Sequence, residues 1–285
     1  MSRIAYVNGR YLPHAEAGVH IEDRGLQFAD SVYEVCEMRH GALIDAPRHL
    51  ARLHRSLGEL RIAPPMSDAA LIGVLRETAR RNRVANGYVY VQVTRGVARR
   101  DHAFPHPAVR PGLIVTARAL SDAKREATAA RGVAVITLPE QRWARVDIKT
   151  TGLTANVMAR QAAREAGAAE AWFVDADGFV VEGAASNAWI VTADGVVVTR
   201  RADGSILAGV TRATVFDVLE KRGLRLEERA FTVAEAQSAR EAFTTGATTL
   251  VMPVVAIDGR PVGDGRPGPM ALDLRARFHD SAHKA

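Results

Sequence analysis

Turn sequences recur along the chain, each between short runs of β-forming residues, and this pattern constrains the fold more than any other feature. The turns are Asn8-Gly9, Ala176-Asp177-Gly178, Ala193-Asp194-Gly195 and Asp258-Gly259. Asn-Gly and Asp-Gly favour the left-handed backbone that tight hairpins need. Successive hairpins build antiparallel sheets, so the pattern predicts an α+β fold with helices beside the sheets and argues against a doubly wound parallel sheet.

Helical patterns lie between these hairpins. Leucines at positions 50, 53, 57 and 60 recur at helical spacing and predict one amphipathic helix. Ser67 is a typical N-cap for a second helix over residues 68–81. Two further helices are expected over residues 154–166 and 211–222, because each is followed by a glycine, which commonly ends a helix.

The chain is long enough for two domains. It has 285 residues, of which 47% are apolar. The β-forming runs that predict buried strands lie at residues 88–94, 113–116 and 133–138. Residues 120–126 lack strong periodicity and are interpreted as a linker. We therefore expect a small N-terminal domain over residues 1–119 and a larger C-terminal domain over residues 127–285.

The basic charge of the chain does not favour a nucleic-acid-binding function. The formal net charge is +6, but it comes from 34 arginines against four lysines, spread over the whole sequence. Aromatic residues make up only 6% of the chain, too few to suggest a surface on which bases stack. A basic nucleic-acid-binding protein is therefore the weaker alternative to an enzyme.

The sequence predicts a cytoplasmic protein. No apolar run approaches the roughly 20 residues that cross a bilayer, and the first residues do not resemble a secretion signal. A single cysteine, Cys36, excludes an internal disulfide and fits a reducing compartment.

Lys149 is the first candidate for chemistry. It follows Val146-Asp147-Ile148, which we expect to be extended, and precedes Thr150-Thr151-Gly152 and a helix. A lysine at the end of a buried strand is partly desolvated, which favours the neutral amine that Schiff-base chemistry needs. Taken alone, the same residues fit an ordinary lysine in a strand-to-helix loop.

Three other segments could hold an anionic or aromatic ligand. Glu182 is expected at a strand end, before small residues that let a flat molecule approach the backbone. The segment Gly209-Val210-Thr211-Arg212 opens a predicted helix, whose N-terminus suits a phosphate, although Thr211 could be a simple cap. The segment Gly246-Ala247-Thr248-Thr249 is either a second phosphate-facing turn or an ordinary polar bend.

Arg100 and His102 lie in a long loop and project to the same side if that loop is extended, where an arginine suits a carboxylate. A metal site is not expected there, because Pro105 prevents a helical pairing of His102 with His106 and no third ligand is evident. The sequence also lacks the common nucleotide-binding loops, the GxSxG motif of hydrolases and the CxxC pair.

The order of these motifs resembles the class IV (fold type IV) pyridoxal-phosphate enzymes, which include branched-chain and D-amino-acid aminotransferases and aminodeoxychorismate lyase. The resemblance covers nearly the whole chain. It begins with the segment from Asp23-Arg24-Gly25 to Tyr33-Glu34 and ends with the segment from Pro253-Val254 to Asp258-Gly259. Three motifs lie between them: the Lys149 segment, the segment from Glu182-Gly183 to Ser186-Asn187, and Gly209-Val210-Thr211-Arg212.

The resemblance implies two domains with pyridoxal 5'-phosphate between them and a homodimer with a shared active site. Lys149 would form the Schiff base and act as the catalytic acid and base, and Glu182 would pair with the ring nitrogen. By position in the motifs, the cofactor-binding residues would be Lys149, Arg52, Glu182, Leu207, Val210, Thr211, Ala247 and Thr248.

Within the family, the pair Arg100-x-His102 resembles the motif with which D-amino-acid aminotransferases hold the substrate carboxylate, together with Tyr33. Ala185 would also face the substrate. The expected reaction is a ping-pong transfer of the amino group of a D-amino acid such as D-alanine to a 2-oxo acid such as 2-oxoglutarate. The alternatives of the same fold are a branched-chain L-amino-acid or (R)-amine transaminase and an enzyme like aminodeoxychorismate lyase. Ala184-Ala185 and Gly246-Ala247 depart from the D-amino-acid pattern, which usually has hydroxyl residues there.

Overall fold

The computed structural model describes residues 3–285, which form two compact units. The first unit contains the chain as far as Ser121, together with Ile148–Gly152 and His283–Ala285; the second contains Asp122–Asp147 and Leu153–Ala282. The change of unit at Ser121 falls among the residues 120–126 predicted as a linker, but a helix already begins at Asp122, so these residues are not irregular. The return of the chain to the first unit at Ile148 had no signal in the sequence.

The first unit is a six-stranded antiparallel sheet with three helices. Its strands are β1 (Ile4–Val7), β2 (Arg10–Pro13), β3 (Ser31–Arg39), β4 (Ala42–Leu43), β5 (Gly87–Thr94) and β6 (Gly112–Ala119). Its helices are α1 (Arg24–Phe28), α2 (Ala46–Glu59) and α3 (Asp68–Arg81). The sheet has the order β2-β1-β6-β5-β3-β4.

The first core forms where the apolar faces of α2 and α3 pack against this sheet. Leu53 and Leu57, from the leucine repeat of α2, are each 2% exposed, and Ser67 caps α3 by accepting from the backbone N–H of Ala70. The predicted helices and strands of this unit are confirmed. Cys36 of β3 is also buried in this core, and burial raises the pKa of its thiol, with the carboxylates of Glu34 and other neighbours raising it further.

The second unit is a nine-stranded mixed sheet with five helices. Its strands are β7 (Val133–Pro139), β8 (Glu170–Val174), β9 (Val180–Gly183), β10 (Asn187–Val191), β11 (Val197–Thr199), β12 (Leu226–Glu228), β13 (Glu241–Gly246), β14 (Leu250–Ile257) and β15 (Arg260–Pro261). Its helices are α4 (Asp122–Arg131), α5 (Thr154–Glu165), α6 (Val210–Lys221), α7 (Val233–Ser238) and α8 (Pro269–Ser281). The order is β12-β11-β10-β13-β14-β7-β8-β9, with β15 beside β14.

Most pairs of strands in the second unit are antiparallel, as the turn sequences predicted. The exceptions are β11 with β12, β7 with β14, and β7 with β8. The α5 and α6 helices begin and end within one residue of their predicted bounds. The antiparallel-rich α+β architecture is therefore confirmed. Within the described part of the chain, no helix is long and apolar enough to cross a membrane.

Candidate active site

Lys149 and Tyr33 meet in the first unit. The amine Nζ of Lys149 donates to the phenol Oη of Tyr33 over 3.3 Å and lies 4.3 Å from the centre of its ring. Both side chains are half-buried, and the ring of Tyr33 stacks on that of Tyr90 with centroids 5.6 Å apart. The stacked ring holds the phenol oxygen in place, so the lysine amine has a fixed partner that can share a proton.

The backbone around Lys149 is a turn, which corrects the expectation that residues 146–148 are an extended strand. The turn is attached to β3: the carbonyl of Lys149 accepts from the N–H of Tyr33 over 3.0 Å, and Thr150 forms an isolated bridge with Val32. Ser56 of α2 accepts from the N–H of Lys149 over 3.4 Å. These contacts position the lysine without a strand of its own.

Arg52 of α2 is held by a carboxylate of the same unit. Its Nε and Nη2 donate to the two oxygens of Glu34 over 2.7 and 2.8 Å, and His49 lies 2.7 Å from the same carboxylate. Burial on its own would raise the pKa of Glu34, but the charge and hydrogen bonds of Arg52, with those of His49, lower it to about 2. The planar fork of Arg52 is therefore locked in one orientation.

Glu182 lies at the end of β9 in the second unit and is 4% exposed. One carboxylate oxygen accepts from Arg142 Nη1 over 2.5 Å and the other from Asn187 Nδ2 over 3.0 Å. The backbone N–H of Leu207 donates to both oxygens over 3.2–3.3 Å. A buried carboxylate with these partners remains charged and fixed in direction.

The N-terminus of α6 lies next to Asn187 and Leu207, which bind the Glu182 carboxylate. The helix begins at Val210 after the N-cap Gly209, and no described side chain caps it. Gly209 must be glycine, because a Cβ there would lie 2.1 Å from Asn187 Oδ1. The amide of Asn187 also donates to the carbonyl of Leu207 over 2.9 Å. Thr211 is buried in the first turn, where N–H groups favour an anion.

Ala247 and Thr248 lie in the turn that joins β13 to β14. The turn is closed by the N–H of Thr249, which donates to the carbonyl of Gly246 over 3.2 Å. Both Ala247 and Thr248 are half-buried. The alternatives for this segment, a phosphate-facing turn or a plain bend, are both compatible with this geometry.

Arg100 and His102 lie on the exposed loop between β5 and β6, and both side chains contact Phe28: Arg100 Cζ is 5.0 Å from its ring centre, and the ring of His102 is 5.4 Å away. In residues 3–285 neither side chain is brought into hydrogen-bond contact with Tyr33. Ala185, in the second unit, is exposed, and its N–H donates to Glu170 over 3.3 Å.

Sequence reasoning missed two arginines that support these groups. Arg24 of α1 donates to the carbonyls of Asp101 and His102 and thereby fixes the backbone of the loop that carries Arg100. Arg142 holds Glu182, as described above. Neither could be selected from among 34 arginines by spacing, because the functional segments that they support are 40 or more residues away in the sequence.

Comparison with known proteins places the chain in a family. The family profile of amino-transferase class IV matches residues 31–257. The chain belongs to the class IV amino-transferases.

The relatives of this amino-transferase cover almost its full length. A D-alanine aminotransferase of Bacillus licheniformis is 40% identical over 96% of this chain and 95% of its own, and one of Staphylococcus haemolyticus is 35% identical over 96% of both. A solved T.th. branched-chain amino acid aminotransferase with pyridoxamine 5'-phosphate has a TM-score of 0.89 and 27% identity over 98% of this chain and 94% of its own. A solved branched-chain amino acid aminotransferase of Escherichia coli shares the fold. It is 23% identical, with a TM-score of 0.88, and the match covers 98% of this chain and 94% of its own.

The predicted family, its fold and its dependence on pyridoxal phosphate are confirmed. The residues of this amino-transferase fit that cofactor: the Lys149 amine suits its aldehyde, the buried Glu182 carboxylate suits its ring nitrogen, and the uncapped N-terminus of α6 suits its phosphate. No group of three or more His, Cys, Asp or Glu side chains that could hold a metal ion is found among residues 3–285.

Proposed function

We propose that this class IV amino-transferase moves the amino group of a D-amino acid such as D-alanine to a 2-oxo acid such as 2-oxoglutarate in a ping-pong reaction. The contact between the Lys149 amine and the Tyr33 phenol carries the proposal, because it places a nucleophilic and basic group beside a side chain that can share its proton. The D-alanine aminotransferases at 33–40% identity over nearly the full chain support the D-amino-acid substrate.

Two groups act on the cofactor itself. Lys149 would hold it covalently, and Glu182 would pair with its ring nitrogen. When bound, pyridoxal phosphate supplies an electron sink that makes the Cα–H of an attached amino acid acidic. Glu182 is suited to this position because Arg142, Asn187 and Leu207 keep its carboxylate charged and fixed.

Several residues would suit the phosphate of the cofactor. Arg52 contributes a guanidinium held rigid by Glu34, and Val210 and Thr211 contribute the N-terminus of α6. The remaining proposed contacts with the cofactor come from Ala247, Thr248 and, against the ring face, Leu207. A prepositioned arginine binds phosphate without first losing side-chain freedom, which favours affinity.

Lys149 would have a second role, as the acid and base of the reaction. Its amine would take up and return the proton that leaves Cα of the substrate. The Tyr33 hydroxyl, 3.3 Å from Nζ, holds the amine on one side and so favours one face of the substrate. A proton delivered to one face fixes the hand of the product.

The substrate carboxylate is bound by Arg100 and His102 together with Tyr33, and Ala185 lies beside the substrate. We further propose that the protein is a homodimer with a shared active site, as its resemblance to the family implies, and that this loop serves the active site of the partner subunit. We place the enzyme in the cytoplasm, because its single cysteine fits a reducing compartment.

A branched-chain L-amino-acid transaminase is the second candidate. It is favoured by solved branched-chain enzymes that are 27% identical with TM-scores of 0.86–0.89, and by Gly246-Ala247, which depart from the usual D-amino-acid pattern. The curated relatives at higher identity favour the D-amino-acid substrate instead.

The test is the visible spectrum of the purified protein with pyridoxal phosphate. We expect an absorption band that D-alanine abolishes and L-leucine leaves in place, and that is absent from Lys149→Ala. A band abolished by L-leucine alone would favour the branched-chain candidate. Lys149→Ala that kept the band would contradict the assignment of the lysine, and a wild-type protein without any band would contradict the proposed function.

A further inference from the structure

One guanidinium in the second unit is shared by two carboxylates. Arg142 donates through Nη1 to Glu182 over 2.5 Å and through Nη2 to Glu140 over 2.6 Å. Its Nε lies 3.0 Å from both oxygens of Glu140. The three side chains together carry one net negative charge, whereas Arg142 and Glu182 alone would carry none.

The cluster is fixed by packing and by the backbone. The side chain of Arg142 is 7% exposed and lies over the ring of Phe173, 4.6 Å from its centre. Glu140 follows β7, donates its own N–H to the carbonyl of Val174 over 2.8 Å, and accepts from the N–H of Arg142 over 2.8 Å. Burial on its own would lower the pKa of Arg142, but its hydrogen bonds with Glu140 and the charge of Glu182 raise it. Arg142 is therefore a permanent cation.

A buried cation beside Glu182 has two opposite effects. It keeps the carboxylate ionised, but it also repels a protonated ring nitrogen placed against that carboxylate. In a partly buried site these charges are weakly screened, so the sum of the nearby charges decides whether the nitrogen keeps its proton.

We propose that Glu140 is a positioning residue that neutralises Arg142, so that Glu182 presents an uncompensated negative charge to the protonated ring nitrogen of the cofactor. This inference rests on the proposed function, in which Glu182 faces that nitrogen. Arg142 then orients Glu182 through a hydrogen bond. The charge of Arg142 is balanced by Glu140, whose side chain is 23% exposed.

The test measures the protonation of the ring nitrogen directly. The wild type, Glu140→Gln, Glu140→Asp and the control Glu165→Gln are loaded with ¹⁵N-labelled pyridoxal phosphate, and the nitrogen resonance is followed against pH. Glu165 is an exposed residue of α5 that accepts from Gln161 of the same helix, so its replacement changes the overall charge equally. Circular dichroism and thermal unfolding establish that each variant is folded.

We expect the pH at which the nitrogen loses its proton to fall by about 1 unit in Glu140→Gln, the lower end of the range for a neighbouring charge. Glu140→Asp and Glu165→Gln should resemble the wild type. An unchanged resonance in Glu140→Gln would overturn the inference, and so would equal changes in Glu140→Gln and Glu140→Asp, since geometry rather than charge would then be the cause. Failure of the wild type to bind the cofactor would instead contradict the proposed function.

Discussion

Arg52 and Glu34 meet edge to edge, with Nε 2.7 Å from Oε1 and Nη2 2.8 Å from Oε2, and both side chains are nearly inaccessible to water. Removing one partner leaves a buried guanidinium without its main counter-charge, at a cost of about 3–5 kcal/mol. We therefore expect Glu34→Ala to unfold at lower urea concentration and to bind pyridoxal phosphate more weakly. The control is Glu77→Ala, which breaks surface ion pairs with Arg80 and Arg81 and should change both properties far less.

The Glu34 carboxylate also makes stability depend on acid pH. Its pKa is about 2 in the folded protein and near 4.5 in the unfolded chain, because Arg52 and His49 outweigh the effect of burial. Its contribution is thus complete above about pH 4.5 and is lost as the pH falls towards 2. Urea unfolding between pH 6 and pH 3 should show a smaller loss of stability in Glu34→Gln than in the wild type; equal slopes would contradict the low pKa.

Tyr33→Phe removes the hydroxyl that accepts from Lys149 and keeps the ring that stacks on Tyr90. The same hydroxyl is proposed to bind the substrate carboxylate, and a hydrogen bond to a charged group contributes about 1.5–3 kcal/mol. The value of kcat/KM for D-alanine should therefore fall roughly 10- to 100-fold, with little change in thermal stability. Tyr90→Phe, which loses only a hydrogen bond to Gln92, serves as the control. If steady-state kinetics showed an equal fall in kcat/KM in both variants, Tyr33 would act through packing.

Arg24 fixes the loop that carries Arg100 and His102. Its Nη1 donates to the carbonyl of Asp101 over 2.5 Å while its Nε pairs with Asp30 over 2.8 Å. Arg24→Met leaves Asp30 paired with Arg95, so the fold should persist while the loop loses its anchor. We expect KM for D-alanine to rise about tenfold, because a tenfold change corresponds to the loss of roughly one hydrogen bond to a charged group. The affinity for pyridoxal phosphate should be unchanged.

The control for this prediction is Arg110→Met, which removes an exposed arginine from the same loop. Its KM should match that of the wild type. A change in cofactor affinity in Arg24→Met would indicate a wider structural defect and would contradict a role confined to the loop.

Much of the fold could be predicted because it depends on local chemistry. Ser67, the leucines of α2 and the glycines after α5 and α6 act within a few residues of their own position, and the structure confirms the helices that they indicated. The motif order identified the family, which residue spacing alone could not.

Strand β3 had no such signal, because its buried positions include Glu34 and Glu37, each no more than 3% exposed. Buried carboxylates are tolerated only with partners, and Arg52 comes from a helix 18 residues further along. The roles of Arg24 and Arg142 could not be predicted for the same reason, because a supporting arginine is defined by the carbonyl or carboxylate that folding brings to it.

The burial of Cys36 has a practical consequence for experiments on this enzyme. It is the only thiol in the sequence, and its place in the first core with a raised pKa makes it a poor nucleophile towards maleimides. A cysteine introduced at an exposed position, such as Ala103 on the loop that carries Arg100, would therefore be labelled selectively in the folded protein. A fluorophore placed there could report movements of the loop during turnover without prior removal of Cys36.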